Sequence, residues 1–249
     1  MAKLPNAPLQ EVIFEVKWAL DISEKTNQAY DKGFDLAAGK FSGIVQDIFP
    51  IVKRKLPDEL PINFLNYQTV YQYKSEENKW PVLQLGPGIF TVNDTDKNYN
   101  WEKTYFPLIK EGIQWLENAY QKKLTYHFVS LKYIDTIKAN DYGFTGDWKK
   151  FISDNLNLSF QNHFKIDSDV TDVQLNQAFE LKDNSQLQIS VSSGKTNKQN
   201  EPLLVWQIGI NKHKTFPDNE LFQWLINSHE ITSSLFKKLV KPDLYDSFA

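Results

Sequence analysis

Phe106-Pro107 is followed eight residues on by Gln114-Trp115-Leu116, and Phe216-Pro217 is followed seven residues on by Gln223-Trp224-Leu225. In each copy the proline suits the first turn of a helix, where its missing N–H has no intrahelical partner to lose. This echo constrains the fold more than any single stretch, because it sets matching helices at the ends of two halves of one chain. A second echo opens the halves: Phe14-Glu15-Val16-Lys17-Trp18 against Val129-Ser130-Leu131-Lys132-Tyr133. It pairs Lys17 with Lys132 and Trp18 with Tyr133.

The elements between the echoes repeat as well. Leu9 to Leu20 alternates, with Val12, Phe14, Val16 and Trp18 on one face, as a half-buried strand does. Tyr30 to Phe49 carries apolar residues at three- and four-residue spacing, which predicts an amphipathic helix running on to about Lys55. Strands follow at 65–74, 81–86 and 89–93, then a helix at 107–121. The second half reads as a strand at 124–138, a short helix near 148–154, strands at 171–182, 186–193 and 202–212, and a helix at 218–239 capped by Asp218. The expected fold class is therefore α+β: two pseudo-repeated β-α-β-β-β-α halves, residues 1–121 and 122–249, forming one integrated unit. An antiparallel sheet carries the helices on one face. This element order resembles the duplicated saddle of the TATA-binding protein, a likeness of architecture that implies no function by itself.

Composition narrows the function. The net charge is −3, and of 28 basic residues only Arg54 is an arginine. Arginine makes the bidentate contacts to phosphate and guanine that dominate specific nucleic-acid reading, so a dedicated reader is disfavoured. The chain has no cysteine, hence no disulfide and no thiolate metal site or nucleophile. It shows no apolar signal region at its N-terminus and no run long enough for a membrane span, so a cytoplasmic location is expected.

The segments LPNAPLQEVIFEVKW at 4–18, LQLGPGIFTVND at 83–94 with Tyr99-Asn100-Trp101 after it, LKYIDTI at 131–137 and the late His229-Glu230 helix occur together. The set resembles a sporadically distributed family of uncharacterised bacterial proteins of about this length. The patchy distribution implies accessory genes, such as defence islands or toxin-associated operons. The resemblance brings no activity, cofactor or catalytic residue.

Motifs that suggest chemistry read otherwise on inspection. Gly86-Pro87-Gly88 lacks the spacing of a P-loop or a dinucleotide loop, and strand-like Ile89 to Asn93 follows it. Proline at the first and glycine at the second central position suit a type II turn. Such a turn splays a two-residue hairpin, so a longer or bulged loop is expected. His229-Glu230 fails as a zinc motif because Ser233 stands where the second histidine would. His127 shares strand parity with Val129, Leu131, Tyr133, Asp135 and Ile137, and reads as a core or edge residue. No metal, cofactor or catalytic set is expected. The candidate binding surface comprises Lys17, Trp18, Trp101, Lys132, Asp135, Gln174, Asn176 and Gln188. The last three lie on a polar, amide- and hydroxyl-rich sheet face. The expectation is a non-enzymatic binding or adaptor protein with a protein partner. The alternative is a nucleotide or nucleic-acid binder using the open sheet face.

Overall fold

The computed structural model describes residues 4–249 apart from 26, 96–98, 162, 165, 197–198 and 217–219. Eleven strands and five α-helices are present among them. Strands β1 (Leu9–Trp18), β2 (Asp21–Ile22) and β3 (Ala29–Tyr30) precede α1 (Phe34–Val45). Then come β4 (Ile51–Arg54), β5 (Tyr71–Lys74), β6 (Val82–Gly86), β7 (Ile89–Asp94) and α2 (Phe106–Tyr120). The remainder is β8 (Tyr126–Lys138), α3 (Trp148–Asn155), β9 (Gln174–Glu180), β10 (Gln186–Lys195), β11 (Pro202–His213), α4 (Glu220–Leu239) and α5 (Pro242–Asp246). Nine strands form a large antiparallel sheet in the order β4-β5-β6-β7-β1-β8-β11-β10-β9, and β2 pairs with β3 apart from it. The protein is thus α+β.

Two compact units divide the chain. The larger holds residues 12–131 and 211–225, and the smaller holds 1–11, 132–210 and 226–249. In the larger unit, cross-strand register puts Phe14 beside Val92, Val16 beside Phe90, Leu85 beside Phe90 and Tyr73 beside Leu83, all buried. Helix α1 packs here through Phe41, whose ring meets those of Tyr73 at 5.0 Å and Phe90 at 5.7 Å. Helix α2 joins them where Gly112 lets the Phe90 ring approach. Tyr105, in the irregular turn before α2, donates its hydroxyl to the Val92 carbonyl at 2.7 Å. The smaller unit buries Leu187, Ile189 and Val191 of β10 and Leu204, Trp206 and Ile208 of β11. The Trp206 ring stacks near Phe236 of α4 at 6.4 Å.

Several expectations need correction. Helix α1 ends at Val45, and Ile51–Arg54 pairs with β5 as a strand instead of continuing the helix to Lys55. The reason is Pro50, which has no N–H to donate and pushes Phe49 away from helical geometry. The strand expected from 65 begins only at Tyr71. The hairpin at Gly86-Pro87-Gly88 is a two-residue turn, since Gly86 pairs directly with Ile89. The short strands β2 and β3 and the terminal helix α5 carry too few residues for a period to register. The proposed Asp218 cap lies outside the described residues.

Candidate functional site

The hairpin corner is held from outside by an acidic hub. Gly88 has φ +75°, the left-handed conformation expected of the second turn residue. Its N–H donates to Asp31 Oδ2 at 3.1 Å and its carbonyl accepts from Trp18 N at 3.1 Å. The Pro87 carbonyl accepts from Tyr67 N at 2.8 Å. These external bonds hold a corner that a hairpin alone would splay. Asp31 Oδ2 also accepts from Tyr120 Oη at 2.7 Å and from Trp18 Nε1 at 3.2 Å, while Oδ1 accepts from Gly33 N. One carboxylate therefore ties the turn, the end of β1, the start of α1 and the end of α2. Burial, then the Asp31 charge, raises the Tyr120 phenol far above its ordinary value, so it stays a donor.

Opposite the α1 and α2 side, the larger unit's sheet is polar. Register aligns Lys53, Gln72, Gln84, Thr91 and Glu15 in one cross-strand row, with Lys74, Val82, Asn93 and Ile13 beside it. Lys55 Nζ reaches over the row to Gln84 Oε1 at 2.6 Å, and Thr91 Oγ1 donates to Asn93 Oδ1 at 2.7 Å. Lys17 pairs with Glu15 at 3.0 Å and places its ammonium 4.6 Å from the centre of the Phe128 ring. Phe128 also meets His213 edge-on at 4.7 Å, and His127 meets Tyr67 at 5.7 Å. Tyr126 bonds to Glu117 of α2, and Val129 is buried. Both His127 and Phe128 are half-buried between them. Burial, then His213 and Lys17, lowers the His127 pKa.

The smaller unit buries ionisable groups in its core. Asp135 is 4% exposed, and burial raises its carboxyl to about 7. The Trp206 indole, whose Nε1 is buried without a well-formed hydrogen bond, pulls weakly the other way. Two residues before it, Tyr133 Oη lies 2.8 Å from His229 Nδ1 of α4, and burial lowers that imidazole to about 4. The two titrations act in opposite senses. Between about pH 4 and pH 7 folded Asp135 keeps a proton that the unfolded chain releases, so it subtracts stability as pH rises, on the order of 4 kcal/mol in full. Below pH 6.5 the unfolded chain takes up a proton that folded His229 refuses, so stability falls as pH drops towards 4. From about pH 4 to 6.5 the slopes cancel. Denaturant melts across this range are expected to show Asp135→Asn losing stability on acidification relative to the parent. His229→Gln gains stability in the same comparison. Parallel curves for all three chains would contradict this.

At the far end of the sheet, β9 pairs with β10 so that Gln174 faces Ser192, Asn176 faces Ser190 and Ala178 faces Gln188. The opposite parity sets Phe179 beside Leu187 and Leu175 beside Val191. Leu187 is 9% exposed, whereas Phe179 is 45% exposed. Helix cover therefore stops one strand short of the edge. Beside it runs a shallow groove of about 370 Å³ lined by Leu187, Glu230, Ile231, Ser234, Leu235 and Lys238.

Of the residues singled out from sequence, Lys17 lies on the polar face of the larger unit, and Trp18 is buried on the other side against Tyr120. Trp101 stacks on Phe106 at 5.2 Å ahead of α2. In the smaller unit Lys132 is half-buried and Asp135 lies in the core, while Gln174, Asn176 and Gln188 share an exposed face. Sequence reasoning missed Asp31, Phe128 and His213. The Asp31-x-Gly33 turn ahead of α1 is the one local signal for the first. Among the described residues no three of His, Asp and Glu gather as a metal ligand set, and no helix is long and apolar enough to cross a membrane. Comparison with family models, curated proteins and solved structures returns no match.

Proposed function

We propose that this chain is a binding or adaptor protein whose partner is another protein, encoded with it in an accessory or defence-type bacterial locus and met in the cytoplasm. The observation that carries the reading is the β9 edge. Among the described residues β9 has no strand on its outer side, and Phe179 stands exposed beside an apolar groove flanked by one acid and one lysine. An extended segment added to such an edge gains main-chain hydrogen bonds, and alternate side chains enter the groove. The test compares purification from the host of the parent chain and of a Phe179→Lys, Ile231→Lys double variant. Both side chains are exposed, so the melting temperature should hold while the co-purifying protein is lost. Retention of that protein by a folded double variant would overturn the assignment.

A second reading, nucleotide or nucleic-acid binding on the polar face, is favoured by Lys55, whose ammonium lies over the buried Gln84–Thr91 row, 2.6 Å from Gln84 Oε1. We also infer a duplicated architecture like that of the TATA-binding protein. Its support is the strand order, which runs outward from β1 through β7, β6 and β5 and from β8 through β11, β10 and β9. A matched contact adds to it. Trp18 meets Tyr120 at 5.4 Å and Tyr133 meets His229 at 6.1 Å, each pairing the echoed opening strand with the last long helix of its half.

A further inference from the structure

We propose that Lys17, His127 and His213 form a binding site for a phosphate monoester on the polar face of the larger unit. This deepens the second reading above and is independent of the β9 surface. Two protonatable groups meet one aromatic ring, and the field of both reaches a third, His127. Lys17 Nζ lies 4.6 Å from the Phe128 centre, the His213 ring lies 4.7 Å from it, and His127 is its chain neighbour. Glu15 supplies a counter-charge, paired with Lys17 at 3.0 Å with both side chains about a quarter exposed. Neither imidazole makes a hydrogen bond or ion pair among the described residues, and His213 is exposed.

The groups facing His127 are Tyr67 from the segment before β5, Lys17 from β1 and His213 from β11. Lys17 and His213 together disfavour its charged form, and a dianion placed among all three reverses that balance. The ammonium and the two imidazoles supply N–H donors for phosphate oxygens. The Phe128 and Tyr67 rings flank the position and give a nucleoside base a surface to stack on.

The test is NMR of the full chain at constant ionic strength, following the imidazole Cε1–H signals of His127 and His213. Signals are assigned with His127→Gln and His213→Gln chains. Inorganic phosphate and AMP are expected to move both signals saturably and to raise the pH midpoint of His127, with proton uptake on binding. Adenosine alone and added chloride should not. Lys17→Gln, which leaves the amide spectrum otherwise folded, should weaken phosphate binding about tenfold. AMP binding tighter than inorganic phosphate identifies a nucleotide as the source, and equal affinities identify free phosphate. Shifts that track ionic strength alone, or affinity unchanged by Lys17→Gln, would overturn the site and leave the β9 proposal standing.

Discussion

Gly86→Ala should leave the chain unable to reach its native state, or cost it about 4 kcal/mol or more. A Cβ built at Gly86 lies 1.8 Å from the Gln68 carbonyl oxygen, a backbone atom that no side-chain rotation can move. Relief would require Gln68 to withdraw. That strains the neighbouring bonds Tyr67 N to the Pro87 carbonyl and Val70 N to the Leu85 carbonyl, each 2.8–2.9 Å. Gly88→Ala should be nearly as damaging, since it combines positive φ with contacts of 2.8 Å to Leu20 and Tyr67. Denaturant melts of the two variants read the loss directly. A cooperative transition within about 1 kcal/mol of the parent for Gly86→Ala would show that the corner is not built as described.

Asp31→Ala should destabilise the chain by about 3 kcal/mol, although Asp31 lies on no strand or helix. The substitution strips acceptors from Trp18 Nε1, Tyr120 Oη and Gly88 N at once. Trp18 is 3% exposed, so its indole N–H has little water to turn to. The cost is the desolvation of stranded donors, which exceeds the net worth of the bonds. Asp31→Asn is the informative comparison, because one amide oxygen can still accept from the Oδ2 partners while the NH₂ cannot accept from Gly33 N. Its loss should be less than half that of the alanine variant. Equal losses for both would mean that charge, not hydrogen-bond geometry, holds the hub.

Much of the sheet was legible because its strands are long and one-sided. The alternation of Val12, Phe14, Val16 and Trp18 placed β1 correctly, and the opposed faces of Gln174, Asn176 and Gln188 against Leu187, Ile189 and Val191 match the β9–β10 register. Periodicity failed where one residue overrode the pattern. Pro50 stopped α1 within an apolar repeat that continues past it. At His127 strand parity reported only neighbours on the same strand, whereas its ring meets Tyr67, 60 residues earlier, at 5.7 Å. Asp31 and His213 were out of reach for another reason. Their partners lie up to 89 residues away, and no local pattern reports a contact made by folding.

The central claim is that a protein partner docks on the β9 edge. Amide hydrogen exchange on the free chain and on the chain with its co-purified partner tests it most directly. The account predicts slowed exchange across Gln174–Glu180, with Phe179 and the groove residues Ile231 and Leu235 included, and little change along β4 at the other edge. Unchanged exchange at β9, with new protection confined to β4 or to the Lys17–Phe128 face, would contradict it.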